Sequence, residues 1–475
     1  MKYLLLFFVF STVYAVNLNC SSSIIQYYAP QNLSQITKYP ANSNDTLSPN
    51  QYCRFHFNVP TGYSVFLVFS ASLGNGFVTV VDSINVSKVY NTAFQQPAFL
   101  ISPGGYVYVQ TTNTVGYFNL QFKYYKYNTY PINYPISSSA KDPLYLNTQM
   151  LQPTTFTAST RVSLVTIPQI AQYVQYLQAT AVFDGPTVNS KYIGSLYDQY
   201  VSGNQFVSSG KYLTLYTVAS TSYSAYGTVI LQDYSITSKF GKFLGISMEN
   251  APRLLSLSSP SASQPVGFIT TMGTTNAEYL IAANVSANAK IDVYIGSVFS
   301  DRKIATYNIS NVNNSLPQEF LGIHRTYVVT SGQVTLKLGR RTIDSGFQNA
   351  YIGRKGFIAS RYYKTSGLAS PTITADILAP QTSQNLGYQL NIRQLDLSRN
   401  NSLMIANGDV TTIYNSSNKV ASSLTVNGAM LAVQYTGDSN TTGFYMDFEI
   451  VPAKGVLSRS VFCSLVLFLV ANFGF

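Results

Sequence analysis

The chain has 475 residues, a formal net charge of +11 and only 10% charged residues, with 38 Tyr and no Trp. About 440 residues lie between its terminal segments, too many for one core, so three or four domains are expected. Plentiful aromatic and β-branched residues exclude a disordered chain; they suit half-buried strands with a neutral polar surface.

The chain opens on Met1-Lys2-Tyr3, then the apolar run Leu4 to Phe10 and a small-residue exit at Val13-Tyr14-Ala15. This predicts a secretory signal peptide over residues 1–15, cleaved after Ala15. Cys20 and Cys53 follow. A third cysteine, Cys463, sits in the last fifteen residues, which are uncharged and mostly apolar. A membrane span needs about 20 such residues. With Ala453, Gly455, Ser458 and Ser460 upstream, the tail reads as a GPI-attachment propeptide over residues 454–475, with lipid attachment at Ala453. Removal of that tail leaves Cys20 and Cys53 as an even pair in an exported chain. A disulfide is expected, closing a loop worth about 3–4 kcal/mol; two free thiols are the alternative, disfavoured outside the cell.

Between the ends, a Gly turn leads into an alternating strand, a polar loop follows, and a second Gly opens another alternating strand. The pattern occurs at Gly104 with Gly116, Gly210 with Gly227, Gly332 with Gly346, and Gly428 with Gly443. Period-two alternation after a Gly turn predicts a hairpin each time. The first glycines of the four pairs lie about 100 residues apart, which is domain-sized. Pro131 to Ala140, Leu255 to Pro265 and Ser366 to Pro371 have linker composition. The expectation is all-β: tandem antiparallel β-sandwich modules at 17–126, 145–248, 266–365 and 371–452. Two larger β domains are the alternative.

In the first module Cys53-Arg54-Phe55-His56-Phe57-Asn58 is followed by Val59-Pro60-Thr61-Gly62-Tyr63. The strand Ser64 to Ser70 then turns at Gly74-Asn75-Gly76 into Phe77 to Asp82. A cysteine closing a loop, an aromatic strand, Val-Pro-x-Gly-Tyr and a final Gly-aromatic strand resemble the CUB-like domain of nematode secreted proteins. The resemblance covers about Asn17 to Tyr125. It implies a jelly-roll sandwich used for recognition, on surface or secreted proteins tied to innate immune and stress responses. Many CUB domains hold Ca²⁺ with several carboxylates; this module offers Asp45 and Asp82, too few for six to eight oxygen ligands, so no metal or other cofactor is expected.

Ten Asn-x-Ser/Thr sequons start at Asn19, Asn32, Asn44, Asn85, Asn284, Asn308, Asn313, Asn400, Asn415 and Asn440, each an N-glycosylation acceptor on a surface loop of a secreted protein. None falls between Asn85 and Asn284, which leaves that stretch open for contacts. Ala251 to Ser366 carries twelve Lys/Arg against five Asp/Glu, net +7. That excess is either ordinary solubility or a face attracting anionic glycans or membrane surfaces.

Catalytic apparatus is thin. The two histidines, His56 and His324, lie in different modules, and no Gly-x-Ser-x-Gly, His-Glu-x-x-His or Walker pattern appears. Asp184, Asp198 and Asp233 could serve as acid/base groups, but turns explain them better. Tyr124 to Tyr127, Tyr130, Tyr134 and Tyr362-Tyr363 read as packing between modules. The chain is thus expected to be non-enzymatic: a GPI-anchored extracellular glycoprotein on the outer leaflet of the plasma membrane. Its partner is an unidentified extracellular protein or glycan, and nucleic acid is excluded. A structural coat or adhesion glycoprotein without a specific ligand is the alternative.

Overall fold

A computed structural model describes residues 16–453, except 129, 219–226, 249, 273–276, 362, 364–371, 381–385, 409 and 439–440; for strand residues 372–377 and 380 it describes the backbone alone. The segments expected to be a signal peptide (1–15) and a propeptide (454–475) lie outside the described residues.

The chain is all-β, and one nine-strand pattern occurs four times. The four sets of strands run from Ile25 to Lys126, Ile132 to Asp233, Lys242 to Gly339 and Asn349 to Pro452. Counting strands in chain order within each module, one sheet has the order first-third-eighth-fifth-sixth. The facing sheet has the order second-ninth-fourth-seventh. The first strand always joins the third in parallel, as in Ile25–Tyr27 with Phe55–Phe57 and Lys242–Ile246 with Val266–Thr270. The first module adds a two-stranded pair, Asn17–Leu18 with Thr46–Leu47.

Alternation builds these strands. In Tyr52–Asn58, Cys53, Phe55 and Phe57 face the core while Arg54, His56 and Asn58 face out. In Phe444–Pro452, Phe444, Met446, Phe448 and Ile450 face in and Tyr445, Asp447 and Glu449 face out. Side chains alternate across a strand, so one face carries the core and the other is free for chemistry.

Two expectations change. The Gly-opened strand pairs are not hairpins. At Gly104, Gly210 and Gly428 the alternating strands are the eighth and ninth of a module, which are consecutive in sequence but lie in opposite sheets. At Gly332 the pattern falls one strand late: Gly332–Gly339 is the ninth strand, and a short helix, Thr342–Ser345, follows it. Alternation is identical whether a strand pairs with its successor or faces it across a core. The modules also start before the expected 145, 266 and 371. Ile132–Ile136 and Arg253–Ser259, in stretches of linker composition, are strands at sheet edges. Edge strands accept Pro and Ser because one side of their ladder is unused.

Contacts gather the chain into two units. One comprises Met1–Ile136, Leu146–Ser202 and Phe206–Val229; the other comprises Ser137–Tyr145, Gly203–Gln205 and Ile230–Phe475. In the first unit, Phe99, Ile101 and Tyr127 pack with Ala179, Phe183, Tyr216 and Val218, joining the first module to the second. In the second unit, Phe357, Ala359 and Tyr363 of the fourth module complete the core of the third.

Candidate ligand cleft between the third and fourth modules

The junction inside the second unit is built by a buried amide. Gln318, 1% exposed, donates from Nε2 to the carbonyl of Phe357 at 2.8 Å, and its Oε1 accepts from the Phe357 N–H at 3.1 Å. A side chain thus imitates a neighbouring strand and satisfies two buried backbone groups. Phe320 meets Phe357 edge-on at 5.7 Å, and Phe357 stacks on Tyr445 at 5.2 Å.

Beside this junction lies a cleft of about 540 Å³. One wall is Ile304 to Tyr307 with Ser315 and Gln318; the other is the outer face of the fourth module's four-stranded sheet. Register sets that face. Lys355, Glu449 and Gln389 align across three strands, as do Phe357, Asp447, Asn391 and Ser423 across four. Lys355 pairs with Glu449 at 3.1 Å, and Arg393 Nε donates to Asp447 Oδ2 at 2.8 Å. A bulge between Ile392 and Gln394 lets Arg393 line a second concavity of about 560 Å³ with Leu395, Leu397, Lys419 and Val420. Burial first, then Asp447, raises the Tyr445 pKa above the ordinary tyrosine value, so the phenol stays protonated.

This arrangement suits binding rather than bond cleavage. Glycoside hydrolysis needs two carboxyl groups on opposite sides of the scissile bond. Asp447 and Glu449 lie on one face of one strand, each matched to a cation. The other acids are structural. Asp184 accepts from the Ser209 N–H, Asp198 accepts from Ser195 and pairs with Lys88 at 3.1 Å, and Asp233 caps the Tyr234–Thr237 helix. Among the described residues no three His, Cys, Asp or Glu gather closely enough to hold a metal ion. Asp45 accepts from Val16 N–H and Asn42, and Asp82 from Ile84 and Val86 N–H, in separate turns.

The remaining predicted residues fall as follows. Cys20 and Cys53 form a disulfide with Cα atoms 5.1 Å apart, and Cys53 is fully buried in the first core. Asn19, Asn32, Asn44, Asn85, Asn284, Asn313, Asn400 and Asn415 are exposed and Asn308 is half-buried, while Asn440 lies outside the described residues. Ala453 is the last described residue. His56 faces out, hydrogen-bonded to Gln26 at 2.7 Å. It ends a run of near-parallel rings through Tyr106 and Tyr108 to Tyr52, with centroids 4.4, 5.7 and 6.0 Å apart. His324 is buried against Tyr145. Tyr127, with half-buried Tyr125, and Tyr363 pack across module junctions as expected, but Tyr124 is buried in the core of its own module and Tyr134 stacks on Phe156 within the second; Tyr130 is exposed and Tyr362 lies outside the described residues.

Part of the basic excess of the third quarter is buried or paired rather than free on a face. Arg325 and Arg354 are fully buried and donate to backbone carbonyls. Arg302 is buried and pairs with Asp142, while Lys290 and Lys303 both reach Asp292. No sequence signal marked the cleft, because its residues come from six separate stretches between Ile304 and Glu449.

Residues 15–128 match the CUB-like domain family. Residues 135–218 and 235–341 match two further families, each described as a domain of unknown function (DUF7592 and DUF7591). The first and third ranges span their modules' strands, and the second ends before its module's last strand, Gly227–Asp233. No curated protein matches the chain. Solved structures with similarity include the CUB1-EGF-CUB2 domains of rat MASP-1, at 11% identity and TM-score 0.16, covering 44% of this chain and 99% of that one. The corresponding domains of human MASP-1/3 give 10% identity and 0.17, covering 42% and 99%. The full extracellular region of zebrafish Gpr126/Adgrg6 gives 9% and 0.19, covering 94% and 55%. At these scores the sheet order, rather than superposition, carries the fold. Among the described residues no helix is long and apolar enough to cross a membrane.

Proposed function

We propose that this chain is an extracellular recognition glycoprotein that binds a partner through its sandwich faces and performs no catalysis. In this reading the signal peptide exports it, a GPI lipid attached at Ala453 holds it on the outer leaflet, and it serves innate immune or stress responses at the cell surface. The observation that carries the reading is the CUB-like match over residues 15–128, on a disulfide-tied module whose sheet order recurs three more times. The cleft between the third and fourth modules is the recognition site in this proposal, because interdomain clefts with convergent polar groups are where ligands bind.

Two measurements test it. Phospholipase C that releases known GPI proteins should move the protein from the detergent to the aqueous phase; retention in detergent would refute the anchor. The shed ectodomain should then capture a partner saturably. A coat or adhesion protein without a specific ligand is the second reading, favoured by the eight exposed sequon asparagines; absence of any saturable partner would decide for it.

A further inference from the structure

We propose that the cleft and the groove that continues it past Arg393 form one extended site for a neutral saccharide chain. The assignment rests on the recognition reading above and names its ligand class. Continuity is the first argument: Arg393 lines both concavities, and Ser422 in one adjoins Ser423 in the other. Two adjoining concavities suit a chain of linked rings better than a single small molecule.

Charge is the second argument. Within the cleft the cations Lys355 and Arg393 are balanced by Asp447 and Glu449, each in its own pair. A sulfated or sialylated polymer would need several uncompensated cations; the cleft has none, and the groove adds only Lys419. These pairs stand in water, with the two cation side chains 54% and 61% exposed, so their remaining donors and acceptors stay available.

The geometry of those groups also fits a sugar. Arg393 uses Nε for Asp447, which leaves its Nη groups to donate. The side chains of Gln389 and Asn391 make no hydrogen bond to another described residue, although they stand in register with the two ion pairs. Guanidinium, amide and carboxylate groups set side by side offer alternating donors and acceptors. Adjacent hydroxyls of a sugar ring present the same alternation, each hydroxyl both giving and accepting. In the groove, Leu395, Leu397 and Val420 are half-buried and offer an apolar strip for the C–H face of a ring.

The test uses the ectodomain with Asn415→Gln, so that a glycan beside groove residue Ser416 is not counted. It is offered immobilised neutral oligomers of glucose, mannose and N-acetylglucosamine, beside sulfated and sialylated chains. Expected is saturable binding to a neutral oligomer, little changed by salt. Arg393→Ala, Asn391→Ala and Ser423→Trp should each weaken it tenfold or more, with unchanged thermal unfolding, because all three side chains lie on the outer face. Tyr106→Ala, on the first module, should leave it intact. Binding only to anionic glycans, or neutral binding that survives all three cleft variants, overturns the assignment. An ectodomain that binds no saccharide yet captures a protein overturns the saccharide and keeps recognition; one that captures nothing overturns both.

Discussion

Acidification should weaken this protein through one side chain. His324 is 5% exposed, with Tyr145 edge-on to its ring at 4.6 Å and Arg325 beside it. Burial, then the Arg325 charge, push its pKa down from 6.5 to about 3. In the unfolded chain the imidazole titrates normally and takes up a proton below 6.5; in the folded chain it stays neutral. Stability is therefore full above pH 6.5 and is lost progressively as the pH falls toward 3. At about 1.4 kcal/mol per unit of pKa difference, the loss is about 2 kcal/mol at pH 5 and about 3.4 kcal/mol at pH 4. The first figure is already a sizeable part of a domain's 5–15 kcal/mol. Because the chain has no Trp, urea unfolding is followed by tyrosine fluorescence and circular dichroism at pH 7 and pH 5. His324→Leu should abolish the loss between those two pH values. It should cost little at pH 7, since neither ring nitrogen has a hydrogen-bond partner in the fold. His56→Ala, removing the only other histidine, should leave the loss in place. If wild type and His324→Leu lose stability in parallel between pH 7 and 5, the reasoning is wrong.

Three other outcomes follow from the packing. Replacing both Cys20 and Cys53 by Ala frees a loop of 33-residue separation and should cost about 3.7 kcal/mol by loop entropy, read as a lower unfolding midpoint of the first module that reductant does not lower further. Gln318→Ala leaves the Phe357 N–H and carbonyl unpaired and should cost about 2–4 kcal/mol, with faster proteolysis at the junction of the third and fourth modules; Gln318→Glu, which buries a charge and sets a carboxylate oxygen against the Phe357 carbonyl, should cost at least as much. Gly104 has φ +121°, and a Cβ there would meet the Phe57 carbonyl oxygen at 1.8 Å, so Gly104→Ala should cost at least about 2 kcal/mol. A midpoint within 1 °C of wild type would contradict that last estimate.

Much of the fold is legible residue by residue. Cys53, Phe55 and Phe57 alternate with Arg54, His56 and Asn58, and the first set is the one buried. The same holds for Phe444 to Ile450. What alternation leaves open is the partner. Leu255 and Leu257 sit among serines, and only the antiparallel register with Gly332–Gly339 makes Arg253–Ser259 a strand. Likewise Arg325 and Arg354 count toward a basic surface until distant carbonyls are found around them.

By itself the sequence determined the strand class, the fourfold recurrence, the cysteine pair and the poverty of catalytic groups, because these depend on residue type and local period. The tertiary structure decided which sheet each strand enters, where modules begin and which cations remain at the surface. It also assembled the cleft, where Gln318, Lys355, Asn391, Arg393, Ser423 and Asp447 meet. Those outcomes depend on hydrogen-bond register and burial between residues as much as 145 positions apart, from Ile304 to Glu449, and no local pattern encodes such a pairing.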